Sequence, residues 1–236
     1  MESKNPLLVS FLNTLLNPFT QNFFDKISKN KNVEGIISLY GDQKFTKIRF
    51  WDAPFIEIEG MVRKKGSIVD LGCGEGIFTN YLAICSPKRK ILGIEIDKNR
   101  LSLADKGLAN VTFKQGDATK VHIPKSENII LFHLLHHLRS FTDQEKVIKN
   151  CLKSLNKKGK LIIVEVDIKP TIKYLMSLIT DCFIVPWIFE KRFFTPVYYR
   201  KASVWKKLIE EMGFKCNVKS AEEGKPFTHI ILECTK

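Results

Sequence analysis

The sequence predicts a doubly wound α/β fold. It is a seven-stranded, mostly parallel sheet with an antiparallel last strand, preceded by an N-terminal helical extension and carrying a helical insertion before the last helix. Three observations predict this. From Ser67 onward, short β-branched runs without polar alternation take turns with amphipathic stretches, a pattern that demands a parallel sheet covered on both faces. The first run breaks into glycines at alternate positions, Gly72, Gly74 and Gly76, where a bare backbone can turn with positive φ and lie against a ligand. Polar residues then recur at the ends of successive runs, at Asp70, Glu95, Asp117, His133 and Glu165, and ligands of such sheets bind at the carboxyl ends of the strands.

Taken in order, residues 5–27 space their apolar positions by three and four and read as one or two amphipathic helices broken near Pro18. With the polar connection expected over 28–44, residues 1–46 form a helical extension or cap, and 47–236 the main domain. The stretch 47–55 is dense in aromatics and is expected to close over a bound cofactor, with Arg49 among the cofactor contacts. A strand over 67–71 leads through the glycine turn into a helix over 77–85. A strand over 90–94 precedes a helix that runs to Ala109, opened by Asp97 as its cap. Strands are expected over 111–115, 128–132 and 160–166, the last two separated by a helix over 143–155. A helix over 203–212 and strands over 215–219 and 228–233 complete the chain.

Composition narrows the function. The chain has 236 residues, 44% of them apolar, enough for one full core. Its start is acid- and proline-containing and has no secretory character. Six scattered cysteines with no C-x-x-C pair argue for reduced thiols in a cytoplasmic protein, without a zinc or other metal site. The net charge of +13 is spread along the chain and is mostly lysine, with arginine at only seven positions. A diffuse lysine surface disfavours nucleic acid as the partner and leaves an anionic membrane surface, touched peripherally, as the anionic partner to consider.

The acids at the strand ends specify the ligand. Glu95, nineteen positions after Gly76, can accept both hydroxyls of a ribose. Asp117, in Gly116-Asp117-Ala118, can accept the exocyclic amine of adenine while the Ala118 amide faces a ring nitrogen. A short ligand spanning three strand ends, adenosine at one side and an amino-acid tail at the first turn, is S-adenosylmethionine rather than a dinucleotide. Asp70 at the inner end of a buried strand is costly without a hydrogen-bonding task. In these residues the sequence resembles the class I S-adenosylmethionine-dependent methyltransferases, over roughly residues 47–234. Val69-Asp70-Leu71-Gly72-Cys73-Gly74-Glu75-Gly76 is similar to the family's first motif, Ile94-Glu95-Ile96-Asp97 to its ribose-binding acid, and Gln115-Gly116-Asp117-Ala118 to its adenine turn. Leu135-His136-His137-Leu138 and Leu155-Asn156-Lys157-Lys158-Gly159-Lys160-Leu161 follow at the family's spacings. The resemblance implies that Asp70 orients the first loop, that Gly72, Cys73, Gly74 and Gly76 lie against the methionine part, that Glu95 and Ile96 hold the ribose side, and that Asp117 and Ala118 hold the adenine.

The acceptor is less specified. His133 is the best-placed candidate base and also a cofactor contact; His136 and His137 just after it, Glu165 or Asp167 at the fifth strand's end, and Tyr198 or Tyr199 are further catalytic candidates. Histidine at position 133 departs from the carboxylate or asparagine common in relatives. The Asn/Asp-Pro-Pro-Tyr motif of adenine and glutamine amine methyltransferases is absent. The segment 171–200 is apolar and aromatic but interrupted by Lys173, Asp181 and Pro186, so it is no membrane span. It reads as two short helices forming a lid or a membrane-surface contact, and with Phe50 and Trp51 as the lining of a pocket for a small-molecule or lipid-like acceptor.

Overall fold

The computed structural model describes residues 29–41, 43–169, 171–187 and 192–236; the helices expected over 5–27 lie outside them. Three helices, α1 (Lys31–Tyr40), α2 (Gln43–Asp52) and α3 (Phe55–Met61), precede β1 (Gly66–Leu71). There follow α4 (Ile77–Cys85), β2 (Arg89–Glu95), α5 (Lys98–Ala104), β3 (Val111–Gln115), β4 (Ser126–Phe132), α6 (Phe141–Ser154) and β5 (Leu155–Glu165). Helix α7 (Ile172–Ile179), α8 (Ala202–Glu211), β6 (Lys215–Ser220) and β7 (Ile230–Thr235) complete the described chain. The sheet has the order β3-β2-β1-β4-β5-β7-β6. Strands β1 to β5 are mutually parallel, and β7 runs antiparallel to both β5 and β6.

Period-two alternation delivers one apolar face to each layer. On one side Ile68, Ile130, Ile162 and Val164 meet α1, α3 and α4; on the other Val69, Leu71, Ile129, Leu131, Leu161 and Ile163 meet α6 and α8. Each such buried aliphatic side chain contributes about 1.5–3 kcal/mol. This two-sided burial explains why the strands read as unbroken apolar runs.

Three expectations need correction. Residues 28–44 are not a connection: Asn30 caps α1 through the Asn32 and Val33 amides, and Val33, Ile36 and Ile37 bury one face beneath a polar surface. Phe50 and Trp51 do not line a pocket. Phe50 packs edge-on to Phe55 and Tyr81 in the core, and buried Trp51 donates to the Gly224 carbonyl at 3.0 Å. In the insertion, α7 does not stop and restart but runs on as a π-helical turn, Thr180–Ile184. Smaller shifts have local causes. Helix α5 ends at Ala104 rather than Ala109 because Asp105 leaves the helical region and Gly107 takes φ +72°.

Candidate active site

The crevice lies where the strand order reverses, between the carboxyl ends of β1 and β4. Gly72, Gly74 and Gly76 all have positive φ, +82°, +56° and +73°. The loop is pinned by Gly72 and Cys73 amides on the Ile94 carbonyl, at 2.7 and 3.0 Å. A Cβ at Gly72 would lie 2.8 Å from Leu134, and one at Gly76 2.8 Å from Ala104. From outside, the Tyr40 hydroxyl donates to the Glu75 carbonyl and accepts from Asn80, both at 2.7 Å. Nothing in the motif spacing marks Tyr40, which arrives from α1.

Three carboxylates, Asp70, Glu95 and Asp117, stand at or just beyond the carboxyl ends of β1, β2 and β3. Asp70 is buried; one oxygen accepts from the Thr79 hydroxyl at 2.6 Å and the other, Oδ1, has no hydrogen-bond partner among the described residues. A ligand ammonium is the kind of donor that would satisfy it. Burial pushes its pKa up to about 6, against the Thr79 hydrogen bond and helped by the Glu95 charge. A carboxyl raised from its unfolded value stabilises the native state fully at low pH, and that contribution is lost as pH rises through 6. The chain without ligand is therefore expected to lose about 3 kcal/mol between pH 4 and 7 from this group. Asp70→Asn should flatten that slope in urea titrations while weakening cofactor binding; an unchanged slope would contradict the assignment.

Glu95 is buried and accepts from the Gly74 amide at 2.8 Å with one oxygen, and from the Ile96 and Asp97 amides at 2.9 and 3.0 Å with the other. It thus ties the end of β2 to the glycine loop. Glu95→Ala is expected to weaken cofactor affinity by about 1–3 kcal/mol, the cost of unpaired buried partners, as read by calorimetry. Asp97 caps α5 through the Asn99 and Arg100 amides, the structural role expected for it. Beyond Glu95, Ile96 presents an exposed apolar side chain. Asp117 turns one oxygen to the Thr119 amide and hydroxyl, whose hydrogen bonds hold its pKa below the usual carboxylate value. Its other oxygen is 3.7 Å from Lys120, and neighbouring Ala118 is buried.

At the ends of β4 and β5 the chain gathers four histidines. His133 has φ +49°, the one positive-φ non-glycine residue among those described. Its Nε2 is 3.1 Å from His229 Nδ1, and His229 Nε2 is 3.0 Å from Asp52 Oδ1. His136, on the 3-10 turn Leu135–His137, places Nδ1 2.5 Å from Glu165 and Nε2 3.5 Å from Asp181. Burial opposes charge on His136, but the Glu165 and Asp181 carboxylates win and hold its pKa above the ordinary value. Burial, then the neighbouring His229 and His136, keep His133 well below it. Among the described residues no group of three or more His, Cys, Asp or Glu is arranged to hold a metal, and the cluster has the make-up of acid–base machinery.

The predicted residues sort as follows. His133 joins the cluster directly. Glu165 is buried with both oxygens engaged, by the Leu135 amide and His136, so it orients His136 rather than meeting an acceptor. Tyr198 points elsewhere, packed edge-on to Phe141; the tyrosine facing the cluster is Tyr199, whose hydroxyl donates to Asp181 at 2.5 Å. Arg49 pairs with Asp52 at 3.3 Å, behind His229 rather than at the glycine loop. Sequence reasoning missed His229, Asp52 and Asp181. Asp181 had a signal, since it is the one acid within apolar residues 171–187, and a charge there is expensive without a partner.

Against known proteins, residues 63–213 match the family described as a methyltransferase domain. The chain is 28% identical over 208 residues to a flavonoid 4'-O-methyltransferase of Glycine max, covering 82% of this chain and 52% of that protein. It is 25% identical over 166 residues to a demethylmenaquinone methyltransferase of Thermotoga maritima, covering 70% of this chain and 69% of the relative. The chain therefore spans about half the length of the flavonoid enzyme. In fold it is similar to magnesium protoporphyrin IX methyltransferase of Synechocystis PCC 6803, solved with bound SAH, at TM-score 0.62 and 17% identity over 95% of this chain and 99% of that one. The glycine cradle, the acceptor-only carboxylates at three strand ends, the sheet order and the match over residues 63–213 converge: the chain belongs to the class I S-adenosylmethionine-dependent methyltransferases.

Proposed function

We propose that this chain methylates a hydroxyl of a small, apolar or lipid-like acceptor, with His133 as the base that receives the acceptor's proton. The observation that carries this reading is the position of the His133 imidazole just past the end of β4, next to Leu134 that packs on Gly72, with burial and the neighbouring His229 and His136 holding its pKa well below the ordinary value. S-adenosylmethionine, when bound, supplies an electrophilic methyl group on a sulfonium. The chain supplies the rest. Asp70, Glu95, Ile96, Asp117 and Ala118 are suited to hold the cofactor's polar groups and adenine, and the loop Gly72-Cys73-Gly74 its amino-acid tail. Transfer is an in-line displacement, so alignment and exclusion of water are the main tasks. An oxygen acceptor must also lose a proton, which a neutral histidine can take.

The flavonoid and quinone acceptors named for the relatives support a small, largely apolar substrate. So does the outward face of the insertion, where Ile172, Leu175, Ile179, Trp187 and Phe193 are exposed, a face suited to a lid or to an anionic membrane surface. No helix among the described residues is long and apolar enough to cross a membrane.

The test is methyl transfer from radiolabelled S-adenosylmethionine to a panel of phenols and prenylated quinols, alongside organic-solvent extracts and RNA. Label in the phenol, quinol or lipid fractions is expected; label in RNA alone sinks the reading. His133→Ala is expected to lower turnover by about 100-fold with cofactor affinity nearly unchanged, and the opposite split would make His133 a binding residue. Sedimentation with anionic liposomes checks the membrane contact.

A further inference from the structure

We propose that His229 and Asp52 form a proton relay behind His133, in which the proton taken from the acceptor hydroxyl is handed on from His133 to His229 and the Asp52 carboxylate stabilises the resulting imidazolium. The identity of the acceptor rests on the methyl-transfer reading above, whereas the relay is carried by geometry within the chain. The His133 and His229 rings are inclined by only 17° with centroids 4.9 Å apart, and His133 Nε2 lies 3.1 Å from His229 Nδ1. His229 then meets Asp52 at 3.0 Å, and the other Asp52 oxygen is held by Arg49 at 3.3 Å. His229 and Asp52 are both buried.

These distances fix the protons. A carboxylate only accepts, so Asp52 holds His229 as the Nε2–H tautomer and leaves its Nδ1 an acceptor. His133 must then donate from Nε2, which leaves its Nδ1 with a free lone pair and no partner among the described residues. When that Nδ1 takes the proton released as the acceptor oxygen gains its methyl group, the His133 Nε2 proton passes to His229 Nδ1. His229 then keeps its Nε2 proton as an imidazolium paired with Asp52, whose pKa burial would raise but His229, Arg49 and Lys225 hold below the ordinary carboxylate value, so the one proton that enters the chain of groups comes to rest on His229.

The arrangement is costly for packing alone. Burying two imidazoles and a carboxylate between α2 and the start of β7 requires complete hydrogen bonding, where apolar side chains would pack without it. His133 also holds a left-handed backbone conformation uncommon for any non-glycine residue. His136 belongs to a neighbouring system, engaging Glu165 and Asp181 rather than His229 or Asp52, with its ring centroid 6.0 Å from that of His133.

Long-range proton–nitrogen correlation spectra of the histidine side chains in the full chain test this without an acceptor. The expected result is the Nε2–H tautomer for both His133 and His229, with Asp52→Ala moving both rings to mixed tautomers. An Nδ1–H tautomer at His133 in the unaltered protein, or spectra indifferent to Asp52→Ala, overturns the relay. If Asp52→Ala does not fold, His229→Asn decides, because its side-chain oxygen preserves the acceptor facing His133 but cannot take up a proton. Turnover on the phenol and quinol panel should then fall about tenfold with S-adenosylhomocysteine affinity within about twofold, and full turnover overturns the relay. A protein that binds no S-adenosylhomocysteine overturns the methyltransferase reading instead, and the tautomers still stand or fall by themselves.

Discussion

Gly74→Val is expected to leave a folded chain with no measurable affinity for S-adenosylhomocysteine. At φ +56° a β-branched residue is strained, and relief of that strain moves the loop. Inside the fold the added Cβ meets only the guanidinium tip of Arg100, 2.7 Å away, a flexible side chain able to swing aside. The loss therefore falls on the ligand surface and on the bond from the Gly74 amide to Glu95, which fixes the relative position of two strand ends. Calorimetry with S-adenosylhomocysteine and a urea titration separate the two effects. Retained affinity would remove the glycine cradle from the binding site. Gly76→Val, by contrast, would press on the Cα of Ala104 at 3.1 Å and damage the fold itself, so it is the poorer probe.

Arg89→Ala is expected to cost about 3–5 kcal/mol of folding stability, a large part of the roughly 5–15 kcal/mol typical of a domain. Arg89 opens β2 at the opposite end of the sheet from the site and is fully buried. It pairs with Glu59 at 2.8 Å and donates to the carbonyls of Arg63, Leu82 and Val62 at 2.9, 2.8 and 3.2 Å. One guanidinium thus joins α3, α4 and the entry to β1, and its removal leaves three carbonyls unpaired and Glu59 with Lys64, at 2.5 Å, as its remaining cation. Glu59→Gln combined with Arg89→Met should lose less than Arg89→Ala alone, because the methionine refills the buried space and the buried carboxylate that lost one of its two cations is gone. Equal losses in urea unfolding would contradict this account. Cofactor binding should persist in whatever fraction remains folded.

The contrast between these two positions shows what was legible in the sequence. The strands and the cofactor side were readable because their signals are local. A buried parallel strand must be apolar on both faces, and Gly72, Gly74, Glu95 and Asp117 follow their strands at fixed offsets. The boundary of β1 was legible to within one residue, at Gly66 rather than Ser67. Helix α1 was not, because its buried stripe of Val33, Ile36 and Ile37 is short and surrounded by Lys, Asn and Ser. The acid–base side was legible at His133 and Glu165, the members that stand at the ends of strands of the repeating pattern. His229 enters through the reversed direction of β7, which brings that strand's first residues to the carboxyl ends of the others. Asp52 and Asp181 come from helices outside that alternation, so no offset from a strand predicts them. Tyr198 and Tyr199 differ by one position, and an extended chain turns neighbouring side chains to opposite sides, which sequence periodicity could not resolve over 192–200.

The same reversal of β7 has a kinetic consequence. The bond between Gly74 and Glu95 closes a gap of 21 residues, whereas His133 to His229 spans 96 and His229 to Asp52 spans 177. Contacts of long sequence separation carry a larger loop-closure cost and form late. During refolding the chain should therefore gain the ability to hold S-adenosylhomocysteine before it gains its assembled base. Stopped-flow capture of that ligand ahead of the appearance of turnover would display the two stages, and simultaneous appearance would show that the last strand docks with the rest.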